Sequence, residues 1–275
     1  MALRPFLALV LVAACGGDRT FDLQFQALVH GEPLQCNKVF SNIGSTSSTV
    51  ELREAKLYIY DPLLIRRDGG ATPLVLEQDQ RYQRDRLALL DFEDGTGSCA
   101  GGDSATRTFL RGVAADDDYV GVRFRVGIPE EMNHLDAATA PAPLNQPGMW
   151  WSWKGGFKYI RIDVTTRGNP DYYLHMGATS CEGMPSSGFS CASSNVAEVE
   201  LSGFDLDGSA VTFDIASMWS DLDLDRQIDN QTDFVAGCMA FAGDPECPSM
   251  FTKLGLNIDG TSNGGQSFFT VGGAR

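Results

Sequence analysis

The stretch Phe21–Val29, FDLQFQALV, sets Phe21, Leu23, Phe25, Ala27 and Val29 at every second position with mostly polar residues between them. Successive side chains of a strand point to opposite faces, so this is the pattern of a strand buried on one side. VGVRFRVGI repeats it with Val120, Val122, Phe124, Val126 and Ile128. Further strands are expected over residues 50–60, 158–164, 197–203, 210–215 and 267–271, separated by turn-rich runs such as EDGTGSCAGGDS and RGNPDYY. Only the region around 216–224 looks helical. Strands in this number, with long connections, predict an all-β fold: an antiparallel β-sandwich-like domain with long loops. No internal repeat and no sharp composition break divides it.

Of the 275 residues 43% are hydrophobic, ample for a large core. The 36 acidic against 21 basic side chains give a net charge of −15, which repels nucleic-acid phosphates and argues against a polybasic membrane patch. Cations are the more natural partners.

MALRPFLALVLVAACGG, at the N-terminus, has a basic residue at Arg4, an apolar run from Pro5 to Ala14 and small residues before Cys15. It reads as an export signal. Val12-Ala13-Ala14-Cys15 fits a bacterial lipobox, with acylation of Cys15 anchoring the mature chain to a membrane on its periplasmic side; an ordinary signal peptide is the alternative. The expected organisation is a signal over residues 1–14, a tether over 15–20 and one domain over 21–275.

The seven cysteines agree with export, since setting Cys15 aside leaves an even set in an oxidising compartment. Cys181/Cys191 and Cys238/Cys247 lie close together in Gly/Ser/Pro-rich loops. Local closure is the economical pairing and leaves Cys36–Cys99. A thiolate metal site is the rival, disfavoured by the compartment and the lack of CxxC.

Three histidines are present. His30 ends the first strand beside a glycine and reads as a solvated turn residue. His134 lies in the irregular PEEMNHLDAATAPAPLN, which leads into GMWWSWKGG, and His175 lies in YYLHMGATSC. If residues 149–153 are extended, Met149, Trp151 and Trp153 share a face and Trp150 takes the other. Such indoles are core, or a stacking platform for a carbohydrate. No GxSxG, P-loop or GxGxxG in strand-turn-helix context and no HExxH appears, and no enzymatic constellation emerges. SDLDLDRQIDNQ resembles a calcium loop at Asp221, Asp223 and Asp225, but Arg226 stands where glycine is needed and Thr232 where glutamate is needed. It reads as a solvated acidic loop.

The order of a strand ending before a glycine and Cys36, LALLDFEDGTGSC, GVRFRVGIPEEMNHLDAATAPAPLN, MWWSWKGGFKYIRID, YYLHMGATSC, and a terminal C-x8-C pair followed by LGL resembles the MbnP-type proteins across nearly the whole mature chain. That resemblance implies a non-enzymatic periplasmic copper-binding protein whose partner is a di-haem, peroxidase-like cytochrome of the MbnH type. It further implies copper held by two histidines and a tryptophan oxidised to kynurenine. Carried over by motif, the histidines are His134 and His175. The M-x-W-x-W-x-x-G pattern falls on Met149, Trp151, Trp153 and Gly156, with Trp153 slightly favoured for modification and Trp150 an addition to the pattern. An indole N–H has no accessible lone pair, whereas kynurenine exposes an amine and a ketone, and an amine with two imidazoles suits copper. The alternative is a carbohydrate- or protein-binding β-module with unmodified tryptophans.

Overall fold

The structure is a computed structural model and describes residues 17–226 and 235–274. Cys15, and residues 227–231 of the acidic run, lie outside the described residues.

Phe21, Leu23, Phe25, Ala27 and Val29 are all buried while the residues between them are half-exposed, as the alternation requires. Their strand, Asp18–Val29, is the centre of the smaller sheet. In order across it run Phe269–Gly273, Ser209–Asp214, Asp18–Val29, Phe109–Ala115 and Val75–Leu76. It begins three residues before the expected domain start, and Asp18, Arg19 and Thr20 already pair with Ala115, Ala114 and Val113.

The larger sheet is organised around a 19-residue strand, Ser48–Arg66, flanked by Tyr119–Val126 and Ile160–Thr166, with Ala197–Ser202 beyond the first and Tyr172–Met176 then Gly237–Cys238 beyond the second. The two sheets close on a shared core. Phe124 of the larger sheet meets Phe25 and Phe269 of the smaller edge-on, at ring-centroid distances of 5.5 and 5.7 Å. Edge-to-face rings of this kind add to the burial of apolar area that drives the sandwich together.

The sheets are mixed rather than purely antiparallel. Asp18–Val29 pairs in parallel with Ser209–Asp214, and Tyr172–Met176 in parallel with Gly237–Cys238. Parallel neighbours need long crossovers, which the intervening chain supplies, and local alternation carries no information about them. The helix expected over 216–224 shrinks to Ile215–Met218, where the Asp214 carboxylate caps the Ala216 N–H. A helix at Cys247–Lys253, with Pro248 in its first turn, is too short to show a periodicity.

The three disulfides are Cys36–Cys99, Cys181–Cys191 and Cys238–Cys247, the pairs that local closure suggests. The acidic loop is only partly solvated in its described part, with Asp221 and Arg226 exposed. Asp225 accepts from Ser48 Oγ and Gly168 N–H and pairs with Arg167, Asp221 accepts from Ser249 and pairs with Lys253, and Leu224 between them is fully buried. These carboxylates tie the loop to the sandwich.

The outer face of the larger sheet is also covered. Tyr58, Tyr60, Leu87 and Leu89 form a second apolar cluster with Ile128, Leu144, Met149, Phe157 and Tyr159, contributed by the irregular chain that follows Val126. The Tyr58 hydroxyl donates to the Pro143 carbonyl at 2.8 Å and fastens this layer to the sheet. Two small hairpins outside the main sheets, Trp150–Ser152 with Gly156–Phe157 and Thr179–Met184 with Gly188–Ser193, complete it.

Candidate functional site

The tryptophan segment is not extended throughout. Pro147–Met149 is a 3-10 turn, only Trp150–Ser152 is strand, and the chain turns at Trp153 toward Gly156. Met149 and Trp150 therefore pack together on the outer cluster, whereas Trp151 packs on the sandwich core cluster. Trp153 is 41% exposed and meets Trp150 edge-on at 5.9 Å, so the expected shared face of Trp151 and Trp153 does not form. The pattern fails because Pro147 starts a turn and Gly156, at φ +68, makes a second; a Cβ there would lie 2.6 Å from the Asn133 amide.

His134 follows the short helix Glu130–Asn133 and reaches the tip of the tryptophan hairpin. Its Nδ1 lies 2.8 Å from the Trp153 carbonyl, which can only accept, so the ring proton sits on Nδ1. Its Nε2 faces Cys191 Sγ at 3.3 Å, with the Asn133 amide at 3.4 Å. The ring stacks on Phe189 at 4.6 Å. His134, Trp153 and Phe189 line an open cleft of about 710 Å³ between the two hairpins, with Glu130 and Glu131 at its edge. Lys154 and Glu182 join the hairpins by an ion pair at 3.5 Å.

His175 is in a different setting. It lies on Tyr172–Met176, opposite Arg161 in the antiparallel register, and is only 6% exposed. Its Nε2 donates to Asp163 Oδ1 at 2.6 Å, and Asp163 also takes Arg161 at 2.6 Å. Burial pushes the Asp163 carboxyl up, but the bond from His175 and the Arg161 charge outweigh it and hold the group below the usual carboxylate range. Burial pushes the His175 imidazole down more than Asp163 pulls it up, and Lys158 and Arg161 add to the depression. The ring is thus neutral at pH 7, with its proton directed to Asp163. Its Nδ1 is buried and has no hydrogen-bond partner. An oriented neutral imidazole with a free lone pair, backed by a carboxylate, is the arrangement that metal-binding histidines use.

Trp151 lies beside this histidine's strand. A Cβ built on Gly177, two residues past His175, would sit 2.6 Å from the indole Cζ3, so the absence of a side chain is what admits the ring. Beyond Arg161 runs a buried ionic network. Arg161 reaches Glu54 at 3.2 Å, and Lys56 bridges Glu54, Glu93 and Asp91 at 2.8, 2.9 and 3.4 Å. Burial, reinforced by Glu93 and Glu54 against the pull of Lys56, pushes the Asp91 carboxyl up to about 7. Burial and the Arg161 charge push Lys158 down to about 8, while its Nζ donates to the Gly148 carbonyl.

Among the predicted site residues, His134 meets Trp153 in the cleft, and His175 meets Asp163 on the sheet, with Trp151 over Gly177 beside it. Among the described residues, clusters of three or more ligand atoms within 4.8 Å place His134 with Cys181 and Cys191, and none includes His175. His30 is a turn residue at φ 51, and its Nε2 meets the Asn42 carbonyl. Asp163 and the Cys191 contact were missed from sequence. The signal for Asp163 is a strand carboxylate on the hairpin partner of the histidine's strand.

A family model for MbnP matches residues 18–240, a span that contains both histidines, the tryptophan hairpin and the Cys181–Cys191 hairpin. The chain belongs to the MbnP family. Among solved structures it is similar to MbnP from Methylosinus trichosporium, with a TM-score of 0.84 and 28% identity over 94% of this chain and 100% of that one. No curated protein matches it.

Proposed function

We propose that this MbnP-family chain is an exported copper-binding protein, with His175 as the anchoring ligand. The single observation that carries the reading is the orphaned Nδ1 of His175. A buried acceptor without a partner costs about 1–3 kcal/mol, and a bound cation at that lone pair removes the deficit. Neutral imidazole suits copper and zinc alike. The preference for copper comes from the family resemblance, which also implies a second imidazole, His134, and an oxidised tryptophan, Trp153 or Trp151. A di-haem cytochrome of the MbnH type is the proposed oxidant, and acylation of Cys15 the proposed anchor in the periplasm.

The chemistry of the residues is consistent with this. Asp163 fixes the His175 ring and its proton, Arg161 keeps Asp163 ionised, and the buried surroundings exclude competing water. Copper, when bound, supplies a redox-active centre. The binding-module alternative draws support from the exposure of Trp153 beside Phe189, although a paired-indole platform needs Trp151 on the same face and the structure does not put it there.

The test is copper titration of full-length protein from its native host, with intact mass measured on the same sample. Modification adds about 4 mass units, one oxygen gained and one carbon lost. His175→Ala is expected to weaken copper binding by at least about 100-fold, and His30→Ala to change nothing. Unaltered mass together with unaltered copper binding in His175→Ala would overturn the proposal.

A further inference from the structure

We propose that His134 and the Cys181–Cys191 disulfide form a redox-gated site for a soft d10 cation, closed while the sulfurs are bonded and open as a two-thiolate, one-imidazole set once they are reduced. A ring nitrogen of His134 and the two Sγ atoms lie within 4.8 Å of one another, and Nε2 is 3.3 Å from Cys191 Sγ. A disulfide sulfur carries no proton. The Nε2 lone pair is therefore aimed at an atom that cannot donate to it, and its remaining contact is the Asn133 amide at 3.4 Å.

The hairpin keeps the ligands together without the S–S bond. Cys181 and Cys191 are directly opposed in an antiparallel ladder that also pairs Thr179 with Ser193 and Glu182 with Ser190, and their Cα atoms are 3.8 Å apart. Two metal–sulfur bonds of about 2.3 Å separate the sulfurs by about 4 Å, which side-chain rotation alone supplies. Cys191 is half-buried and lines a cleft of about 550 Å³, so reductant and metal have a route in.

The other two disulfides lack these properties. Beside Cys36–Cys99 the nearby carboxylate, Glu93, is held by Lys56, and beside Cys238–Cys247 the nearby Asp244 accepts from the Met239 and Glu246 N–H groups. Only at Cys181–Cys191 is the third group an imidazole with a lone pair turned to sulfur. Imidazole with two thiolates is a soft set, suited to monovalent copper or zinc.

The gating step is a two-electron reduction. An external dithiol gives up two electrons and two protons, closes its own disulfide, and leaves Cys181 and Cys191 as thiols. Metal binding then displaces both thiol protons. The site shares His134 with the ligand set that the family resemblance implies for copper, but its two sulfurs and its opening by reduction are its own and do not rest on His175.

Zinc serves as the probe, competed against a chromophoric chelator, on the full chain carrying His175→Ala so that the proposed copper centre lacks its anchoring ligand in both the oxidised and the reduced sample. A phosphine replaces the dithiol as reductant, taking its oxygen from water. Reduction is expected to create one zinc equivalent bound at least about 100-fold more tightly than by the oxidised chain. Cys181→Ser/Cys191→Ser should erase that gain and His134→Ala should cut it at least about 10-fold. Substituting cobalt in the unmutated chain should give sulfur-to-metal absorption after reduction, a readout that needs no variant to fold. No gain on reduction, a gain that survives the double serine variant, or indifference to His134→Ala would each overturn the site. Copper binding by the oxidised chain is the separate test of His175.

Discussion

The strand Ser48–Arg66 has two faces built on different physics. Inward, Leu52, Ala55, Leu57 and Ile59 join the sandwich core, where burial is non-directional and no group needs a particular partner. Outward, Glu54 and Lys56 are buried in a chain of ion pairs that ends at Asp163, which accepts from His175, and Tyr58 is held by one carbonyl. The inner face tolerates changes that conserve volume. The outer face does not, because removing one member leaves a buried charge or lone pair with nothing opposite it. Both candidate histidines belong to the layer on the outer face.

The largest expected effect separates the faces by their response to pH. Lys56→Met leaves Glu54, Glu93 and Asp91 uncompensated and is expected to cost about 3–5 kcal/mol near pH 8. That cost should shrink toward pH 5, where the carboxylates can take up protons. Leu57→Ala on the inner face should cost about 2–5 kcal/mol with little change across the same range. Denaturant unfolding at both pH values measures the contrast, and a pH-independent Lys56→Met would mean the outer face behaves like ordinary core.

Asp91 sharpens the same point. Its folded pKa is raised to about 7 by burial, well above the ordinary carboxylate range, so the folded state holds this proton longer than the unfolded state does. The stabilisation is present below the unfolded value and is lost as pH rises through the folded one. Between about pH 4 and 7 this group should therefore lower stability by at most about 4 kcal/mol. Asp91→Asn, which mimics the protonated form, should gain on the unmutated chain over that window. A parallel pH profile in the two proteins would remove Asp91 as a titrating group.

Gly177→Ala is expected to act more gently, by about 1–3 kcal/mol of overpacking, since its Cβ must displace Trp151 and meets the Phe157 carbonyl at 2.6 Å. If Trp151 lies beside the metal centre, copper affinity should fall with it. Unchanged affinity would assign Trp151 to packing alone.

What could be read from sequence follows the same division. Phe21 through Val29 announce their face because each strand residue is placed by period two and needs only a hydrophobic opposite. The local cysteine pairs are legible because short loops close readily. The parallel pairing of Gln24 with Ala210 is not, since nothing local encodes a neighbour so far along the chain. Nor is the split between Trp150 and Trp151, which depends on the turn at Pro147 and the left-handed Gly156. His134 and His175 could be chosen as candidates, yet their roles rest on the Trp153 carbonyl and on Asp163, contacts made by folding rather than by spacing.

The smallest effect concerns an ion pair at the open end of the same outer face. Arg123 and Glu200 are opposed across Tyr119–Val126 and Ala197–Ser202, with Nη2 to Oε2 at 2.5 Å, but each side chain is about half exposed. Solvent screens the pair, and holding two long side chains in one geometry offsets much of the attraction. A double-mutant cycle of Arg123→Ala and Glu200→Ala should give a coupling of about 0.2–1 kcal/mol, lost in about 1 M salt where the screening length falls to about 3 Å. The corresponding cycle on Lys56 and Glu93 should exceed it several-fold and resist salt, because that pair is buried at both ends. Equal couplings would mean that the covering layer does not exclude solvent, and the orphaned Nδ1 of His175 would then be satisfied by water rather than by a metal.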